Sequence, residues 1–186
     1  MNDVKIFPTL LGYTLNFLNT KECSGVLKQL KKIKTFKHPC LTGKATSTHT
    51  LQSSFSLDDN LRNKLTQKIN DYATQYGIAK LKLDNSWINI QSKKSLLIKH
   101  SHPNSIISGV LYLKADKNSS PLHFYNPNPF LSFIDIKNIT GINSPTYYVT
   151  PATGSLFLFP SWLLHGSEKL NNSKERIVLS FNTAYL

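Results

Sequence analysis

Residues 154–185 read GSLFLFPSWLLHGSEKLNNSKERIVLSFNTAY, and this stretch decides the fold that we predict. It contains two runs rich in apolar and aromatic residues, 154–162 and 175–185, with a polar segment between them. Short runs of this kind, bounded by turn residues, are typical of β-strands. Five more such runs precede them, at 81–91, 95–102, 105–115, 121–126 and 145–151. These short candidate strands, with no convincing helix between them, indicate an antiparallel sandwich or a small barrel.

The residues before 81 show a different pattern. We predict a strand over 5–17, a helix over 20–34 and a clearer helix over 57–77, where apolar residues recur at helical spacing. Ser56 can cap the second helix together with Asp59, and Gly77 can end it. The whole chain, 1–186, is therefore expected to form one domain, with a helical part at about 1–80 and a β-sandwich core at about 81–186.

The segment 126–145, NPNPFLSFIDIKNITGINSP, connects two candidate strands and is long for a connection in a compact domain. Connections of this length often form active-site lids or binding loops. We predict that this segment is a lid over a substrate.

The chain of 186 residues carries 22 Lys and Arg against 10 Asp and Glu, a formal net charge of +12. Such an excess favours an anionic partner such as nucleic acid. Only Arg62 and Arg176 are arginines, however, and arginine is the residue best suited to base and phosphate recognition. The densest lysine run, between residues 28 and 37, is interpreted as a solvated face or a weak phosphate patch. Nucleic acid therefore stays an alternative partner that is not favoured.

Other classes of protein are excluded by composition. The chain contains 10 Phe and 8 Tyr, which supply apolar area that disordered chains lack. No run approaches the roughly 18 apolar residues of a membrane span, and the first residues do not resemble a secretory signal. Cys23 and Cys40 are too few for a disulfide framework or a metal knuckle. We expect a cytoplasmic protein with no membrane partner.

Three of the six histidines lie where they could share a metal ion. His100 and His102 are separated by one residue on the predicted strand 95–102, so both side chains leave the same face of the sheet. His165 follows an apolar run, and strand pairing could bring its imidazole to the first two. Three imidazoles on one side of a metal leave positions open for water, substrate or oxygen. The alternative, that all three are ordinary structural residues, stays open, and a structural role is the interpretation for His38, His49 and His123.

Arg176 lies in the run ERIVLSFN, which otherwise reads as core. A buried guanidinium needs an anion, because an unpaired buried charge is costly. The neighbouring Glu175 points to the opposite face of the strand. A dicarboxylate ligand, held by the two-pronged guanidinium, would satisfy Arg176, whereas an Arg at a strand edge that points to solvent is the alternative.

The order of these segments resembles the iron(II)- and 2-oxoglutarate-dependent oxygenase superfamily. His-x-His-Pro at 100–103 is followed by SGVLYL at 108–113, FPSWLLHG at 159–166 and ERIVLSFN at 175–182. More closely, the chain resembles a family of such oxygenases common in marine bacteria and their phages. That second likeness rests on Phe7, Pro8 and Thr9, on Trp87 and Asn89, and on His102, Pro103 and Ser105.

The resemblance implies a role for each matching residue. His100 and His165 match ligands of Fe(II), and Arg176 matches the residue that binds the far carboxylate of 2-oxoglutarate. Tyr112 matches a tyrosine that hydrogen-bonds the same carboxylate in prolyl-hydroxylase-like members. His102 stands where most of the superfamily has Asp or Glu, so the implied site has three imidazoles and no negative charge of its own. Asn89 is assigned beside the cosubstrate and Trp87 beside the substrate, with ordinary strand packing as the alternative for both.

The implied fold is mainly β with flanking helices, a double-stranded β-helix or jelly roll. The implied activity is hydroxylation of an unidentified substrate, with O2 and 2-oxoglutarate consumed and succinate and CO2 released. The substrate would be a small molecule or a peptide, with a peptidyl proline as one candidate. The alternative function is that of a cupin-like metal-binding or sugar-binding β-barrel module without oxygenase activity.

Overall fold

The computed structural model describes residues 7–50 and 55–186. Residues 5 and 6 of the predicted first strand lie outside the described residues, and the strand itself, β1, is limited to Gly12–Thr14. The first helix, α1, spans Thr20–Leu30 and begins with a capping box between Asn19 and Glu22. It ends earlier than predicted because the next apolar residue, Ile33, is exposed and extends no buried face.

The second helix, α2, spans Asp59–Gln75. Its N-cap is Asp58, whose carboxylate accepts from the backbone N–H of Leu61 at 2.9 Å, so the prediction of Ser56 as the cap was wrong. An ionised carboxylate at this position also interacts favourably with the positive end of the helix dipole. Gly77 lies just beyond the helix with a φ of +66°, as predicted for a residue that ends a helix.

The strands form two antiparallel sheets. In chain order after β1 they are β2 Thr46–Ser47, β3 Leu81–Ser92, β4 Ile107–Lys114, β5 Leu122–Tyr125, β6 Thr146–Val149, β7 Leu156–Pro160, β8 His165–Gly166 and β9 Glu175–Tyr185. The larger sheet has the order β1-β7-β4-β9-β3-β2, and the smaller has the order β6-β5-β8.

Alternation along β9 divides the interior into two cores. Ile177, Leu179 and Phe181 pack with the buried faces of α1 and α2. The alternate residue Val178 packs with Tyr112 and with residues of the smaller sheet. The fold is therefore a sandwich of two sheets with helices on the outer face of the larger one, because successive side chains of a strand point to opposite faces.

One predicted strand is absent, and the long connection contains a short helix. The run 95–102 is not a strand: it makes isolated bridges, from Leu97 to Leu41 and from His100 to His165, because its neighbours are short irregular segments rather than a continuous strand. The long connection 126–145 contains a 3-10 helix, Pro129–Phe133. No helix among residues 7–50 and 55–186 is long and apolar enough to cross a membrane.

Candidate metal centre

The imidazoles of His100, His102 and His165 meet in space. Their potential ligand nitrogens all lie within 4.8 Å of one another. The ring centroids are 4.4 Å apart for His100 and His165, and 5.0 Å apart for each of the two pairs that include His102. The structure thus brings together the three histidines that the sequence singled out, and this is the only such group in the described part of the chain.

Backbone hydrogen bonds place the three histidines. His100 and His165 bridge each other's main chains, and the N–H of His102 donates to the carbonyl of Ser161 at 2.9 Å. Phe159, on β7, packs against the ring of His165 at a centroid distance of 4.7 Å. The two segments that carry the three histidines are therefore fixed to the sandwich by hydrogen bonds and packing.

In each imidazole, the hydrogen bond that one ring nitrogen makes determines whether the other nitrogen can bind a metal. Nδ1 of His100 donates to the carbonyl of Ile98 at 2.7 Å, and Nδ1 of His165 donates to that of Leu163 at 2.8 Å. With the proton on Nδ1, the Nε2 lone pair of each neutral ring is available as a ligand. Nε2 of His102 lies 3.2 Å from Nε2 of His165, so these two nitrogens face each other at the centre of the trio.

Burial favours the neutral form of all three rings. Burial lowers the pKa of His100, although the Ile98 carbonyl opposes this effect. Burial, followed by the neighbouring His100, lowers the pKa of His102 to about 4 and that of His165 to about 3. Neutral imidazole is the form that ligates metals, so the donor set suits a divalent cation such as Fe(II).

The trio opens into a cavity of about 270 Å³. Trp87 and Asn89 line it, and the Trp87 ring lies 5.6 Å from that of His102. His38 and His49 also line it, and the His49 ring lies 5.2 Å from the Trp87 ring. The sequence predicts only structural roles for His38 and His49. They lie outside the strands, in a segment without hydrophobic periodicity, so no local pattern could have placed them here.

Arg176 is buried, with 2% of its surface exposed, and no carboxylate within the described residues pairs with it. Its Nη1 donates to Oε1 of Gln91, and its Nη2 donates to Oη of Tyr112 at 3.1 Å. Glu175 instead pairs with Lys114 at 2.7 Å. The predicted inward direction of Arg176 is thus observed, although neither Arg176 nor Tyr112 lines the histidine cavity.

Unpartnered polar atoms accumulate beside this cation. Nε of Arg176 and Nε2 of Gln91 are buried donors without an acceptor among the described residues. A buried donor without an acceptor costs about 1–3 kcal/mol, and an uncompensated buried charge costs more. Two free donors and one positive charge fit an anion with at least two acceptor oxygens, so these residues fit a carboxylate.

Asn89 links the histidine cavity to the strand segment that faces Arg176. It lines the histidine cavity and is separated by one residue from Gln91 on the same face of β3. Two residues along a strand span about 7 Å, which is comparable with the length of a five-carbon diacid. Oδ1 of Asn89 is buried and has no hydrogen-bond partner among the described residues. Gln91 carries no local signal in the sequence, since its position opposite Arg176 depends on the pairing register of β3 and β9.

Comparison of the sequence with protein families finds one match. A family model described as "Putative 2OG-Fe(II) oxygenase" matches residues 85–182, which is more than half of the 186 residues. No curated protein matches the sequence.

Solved structures with the same architecture include a Pseudomonas putida prolyl-4-hydroxylase, with 12% identity, a TM-score of 0.67 and coverage of 96% of this chain and 94% of that one. The viral collagen prolyl hydroxylase of Paramecium bursaria Chlorella virus-1, solved as a 2-oxoglutarate complex, has 13% identity, a TM-score of 0.63 and coverage of 95% and 96%. HygX from Streptomyces hygroscopicus, with nickel and 2-oxoglutarate bound, has 10% identity, a TM-score of 0.64 and coverage of 95% and 83%. At these identities the likeness shows the fold, and the predicted jelly roll with flanking helices is confirmed.

Proposed function

The chain belongs to the 2OG-Fe(II) oxygenase family, and we propose that it hydroxylates a small-molecule or peptide substrate, with a peptidyl proline as one candidate. The observation that carries the proposal is the cluster of three imidazoles, together with a buried arginine that no carboxylate among the described residues pairs. The cofactors are those of the family, Fe(II) and 2-oxoglutarate.

His100, His102 and His165 are the proposed iron ligands. When bound, Fe(II) and 2-oxoglutarate supply the oxidising chemistry, in which O2 is consumed and succinate and CO2 are released. Phe159 and Leu163 are buried beside the trio and keep water away from its inner side.

Arg176 and Tyr112 are proposed to bind the far carboxylate of 2-oxoglutarate. The guanidinium already uses Nη2 to orient the tyrosine hydroxyl, whose own proton is then available to an anion. Asn89 lies between this region and the histidines, where it is proposed to contact the same molecule.

Trp87 is the proposed contact of the substrate, together with His49 and His38, which line the same cavity. The cavity volume of about 270 Å³ admits only the reacting portion of a larger substrate. The connection 126–145 is proposed as the lid. Its exposed apolar side chains include Phe130, Phe133 and Ile142, which are suited to cover an apolar surface.

The assay is succinate formation by protein purified without oxygen and then supplied with Fe(II), 2-oxoglutarate and O2. We expect succinate from the wild-type protein and none above background from His165→Ala. No succinate from metal-loaded wild-type protein, together with binding of a sugar, would support the alternative of a cupin-like module. We also propose that the chain is one catalytic domain over 1–186 and acts in the cytoplasm. Its marine bacterial or phage origin stays a prediction.

A further inference from the structure

Gln91 has a buried side-chain amide in which the oxygen has a hydrogen-bond partner and the nitrogen has none among the described residues. It is 1% exposed and lies directly opposite Arg176 in the pairing of β3 with β9. Its Oε1 accepts a hydrogen bond from Nη1 of Arg176. Its Nε2 is buried without an acceptor among the described residues, as is Nε of Arg176.

The bond from Arg176 fixes the direction of the free end. Because the guanidinium can only donate, the amide must turn its oxygen towards Arg176 and its NH2 group away. The NH2 group and the unpartnered Nε of Arg176 are therefore both left to donate to a ligand that contacts the guanidinium. Tyr112 adds a third group there, because its oxygen is occupied by Nη2 of Arg176 and its proton is not.

The charges around Arg176 indicate which kind of ligand can bind beside it. The Arg176 cation has no acidic partner among the described residues, and the adjacent Glu175 is engaged by Lys114 at 2.7 Å. Two N–H donors, one O–H donor and one positive charge match a carboxylate, which offers two oxygens and a negative charge.

We infer that Gln91 binds the far carboxylate of 2-oxoglutarate through Nε2 while it positions the Arg176 guanidinium through Oε1. This inference rests on the proposed function. An amide is required at this position because it accepts from the cation and donates to the anion at once. A carboxylate in its place would neutralise Arg176 and repel the ligand, and an alkyl side chain would do neither task.

The experiment measures binding without turnover. Protein loaded with Ni(II) under anaerobic conditions is titrated by calorimetry with 2-oxoglutarate, and separately with 2-oxobutyrate, which keeps the 2-oxo acid end but lacks the far carboxylate. The variants are Gln91→Glu and Gln91→Leu. The control is Gln67→Glu, which makes the same change of charge at an exposed position of α2.

We expect Gln91→Glu to weaken 2-oxoglutarate binding by about 100-fold or more and Gln91→Leu by about tenfold, the scale of lost hydrogen bonds to a charged group. The affinity for 2-oxobutyrate should stay within about threefold of wild type in both variants, and Gln67→Glu should bind both acids normally. Gln91→Glu should melt no lower than the wild-type protein, because the new carboxylate pairs with Arg176.

Two results would overturn the inference while leaving the proposed function intact. One is unchanged 2-oxoglutarate affinity in both Gln91 variants, and the other is an equal loss of affinity for both acids, which indicates a general distortion. If wild-type, Ni(II)-loaded protein does not bind 2-oxoglutarate at all, the proposed function fails and the inference fails with it.

Discussion

The main chains of His100 and His165 are joined by two hydrogen bonds, each 2.9 Å from nitrogen to oxygen. The bridge joins two segments that are distant in the sequence and sets their rings 4.4 Å apart between centroids. A movement of either segment therefore moves both proposed ligands together. The site is consequently preorganised by backbone pairing, before any metal contributes.

Replacement of His165 by Ala should abolish stoichiometric Fe(II) binding. His165 is 2% exposed, and loss of a ligand itself should exceed the 10–100-fold cost that is typical of changes around a metal ligand. The measurement is iron content after anaerobic dialysis, with His123→Ala as the control because His123 lies outside the trio. Retention of one Fe(II) per chain in His165→Ala would count heavily against the assignment, and the same holds for His100→Ala.

Replacement of His102 tests whether the third imidazole is a ligand. His102→Ala should weaken metal binding by about tenfold or more, whereas His102→Asp should retain the metal, because a carboxylate supplies both a ligand atom and a negative charge. Binding of Co(II), followed by its visible absorption, distinguishes the variants. Equal metal affinity in His102→Ala and the wild-type protein would remove His102 from the ligand set.

Replacement of Arg176 should weaken 2-oxoglutarate binding more than metal binding. Arg176→Ala should raise the 2-oxoglutarate concentration required for half-maximal succinate formation by about 100-fold, since a charged hydrogen-bond donor and its charge are both lost. Arg176→Lys should require a 2-oxoglutarate concentration between those of Arg176→Ala and the wild-type protein, because lysine keeps the charge but not the two-pronged geometry. An unchanged requirement in Arg176→Ala would exclude the proposed role, provided that the variant still binds one metal ion.

The metal-free protein should lose stability as the pH falls below about 6.5, the ordinary pKa of histidine. The folded-state pKa values of His102 and His165 are lowered to about 4 and about 3, so in this range the unfolded chain takes up protons that the folded chain does not. The buried His165 contributes at most about 1.4 kcal/mol of unfolding free energy per pH unit, a loss complete only below its folded pKa. Urea unfolding at pH 7 and pH 5 with a chelator measures this difference. His165→Phe should reduce the pH dependence, and an equal dependence in that variant would contradict this origin.

Trp87 and His49 should affect the substrate rather than the cofactors. Trp87→Leu and His49→Ala should leave metal and 2-oxoglutarate affinities within about threefold of wild type, because neither side chain is a proposed ligand of the metal or of 2-oxoglutarate. Succinate formation without substrate should persist, while stimulation by a substrate found in a screen should fall. Loss of metal from His49→Ala would instead assign His49 to the support of the metal site.

Local patterns in the sequence predicted much of the architecture. Short apolar runs bounded by turn residues predicted β3, β4, β5, β6, β7 and β9, and helical spacing of apolar residues predicted α2, because these patterns depend on neighbours along the chain. The boundaries were less well predicted, as the N-cap Asp58 and the absent strand at 95–102 show. Both depend on which of several competing hydrogen bonds the folded chain selects.

The sequence by itself determined the class of fold and a short set of chemically capable residues, His100, His102, His165 and Arg176, since side-chain chemistry and short apolar runs are local properties. Only the tertiary structure decided that His38 and His49 share the cavity of the trio and that Gln91 lies opposite Arg176. Those relationships arise from the register of β3 against β9 and from the course of a segment without periodicity. Both are set by the packing of distant parts of the chain, which no short window of sequence contains.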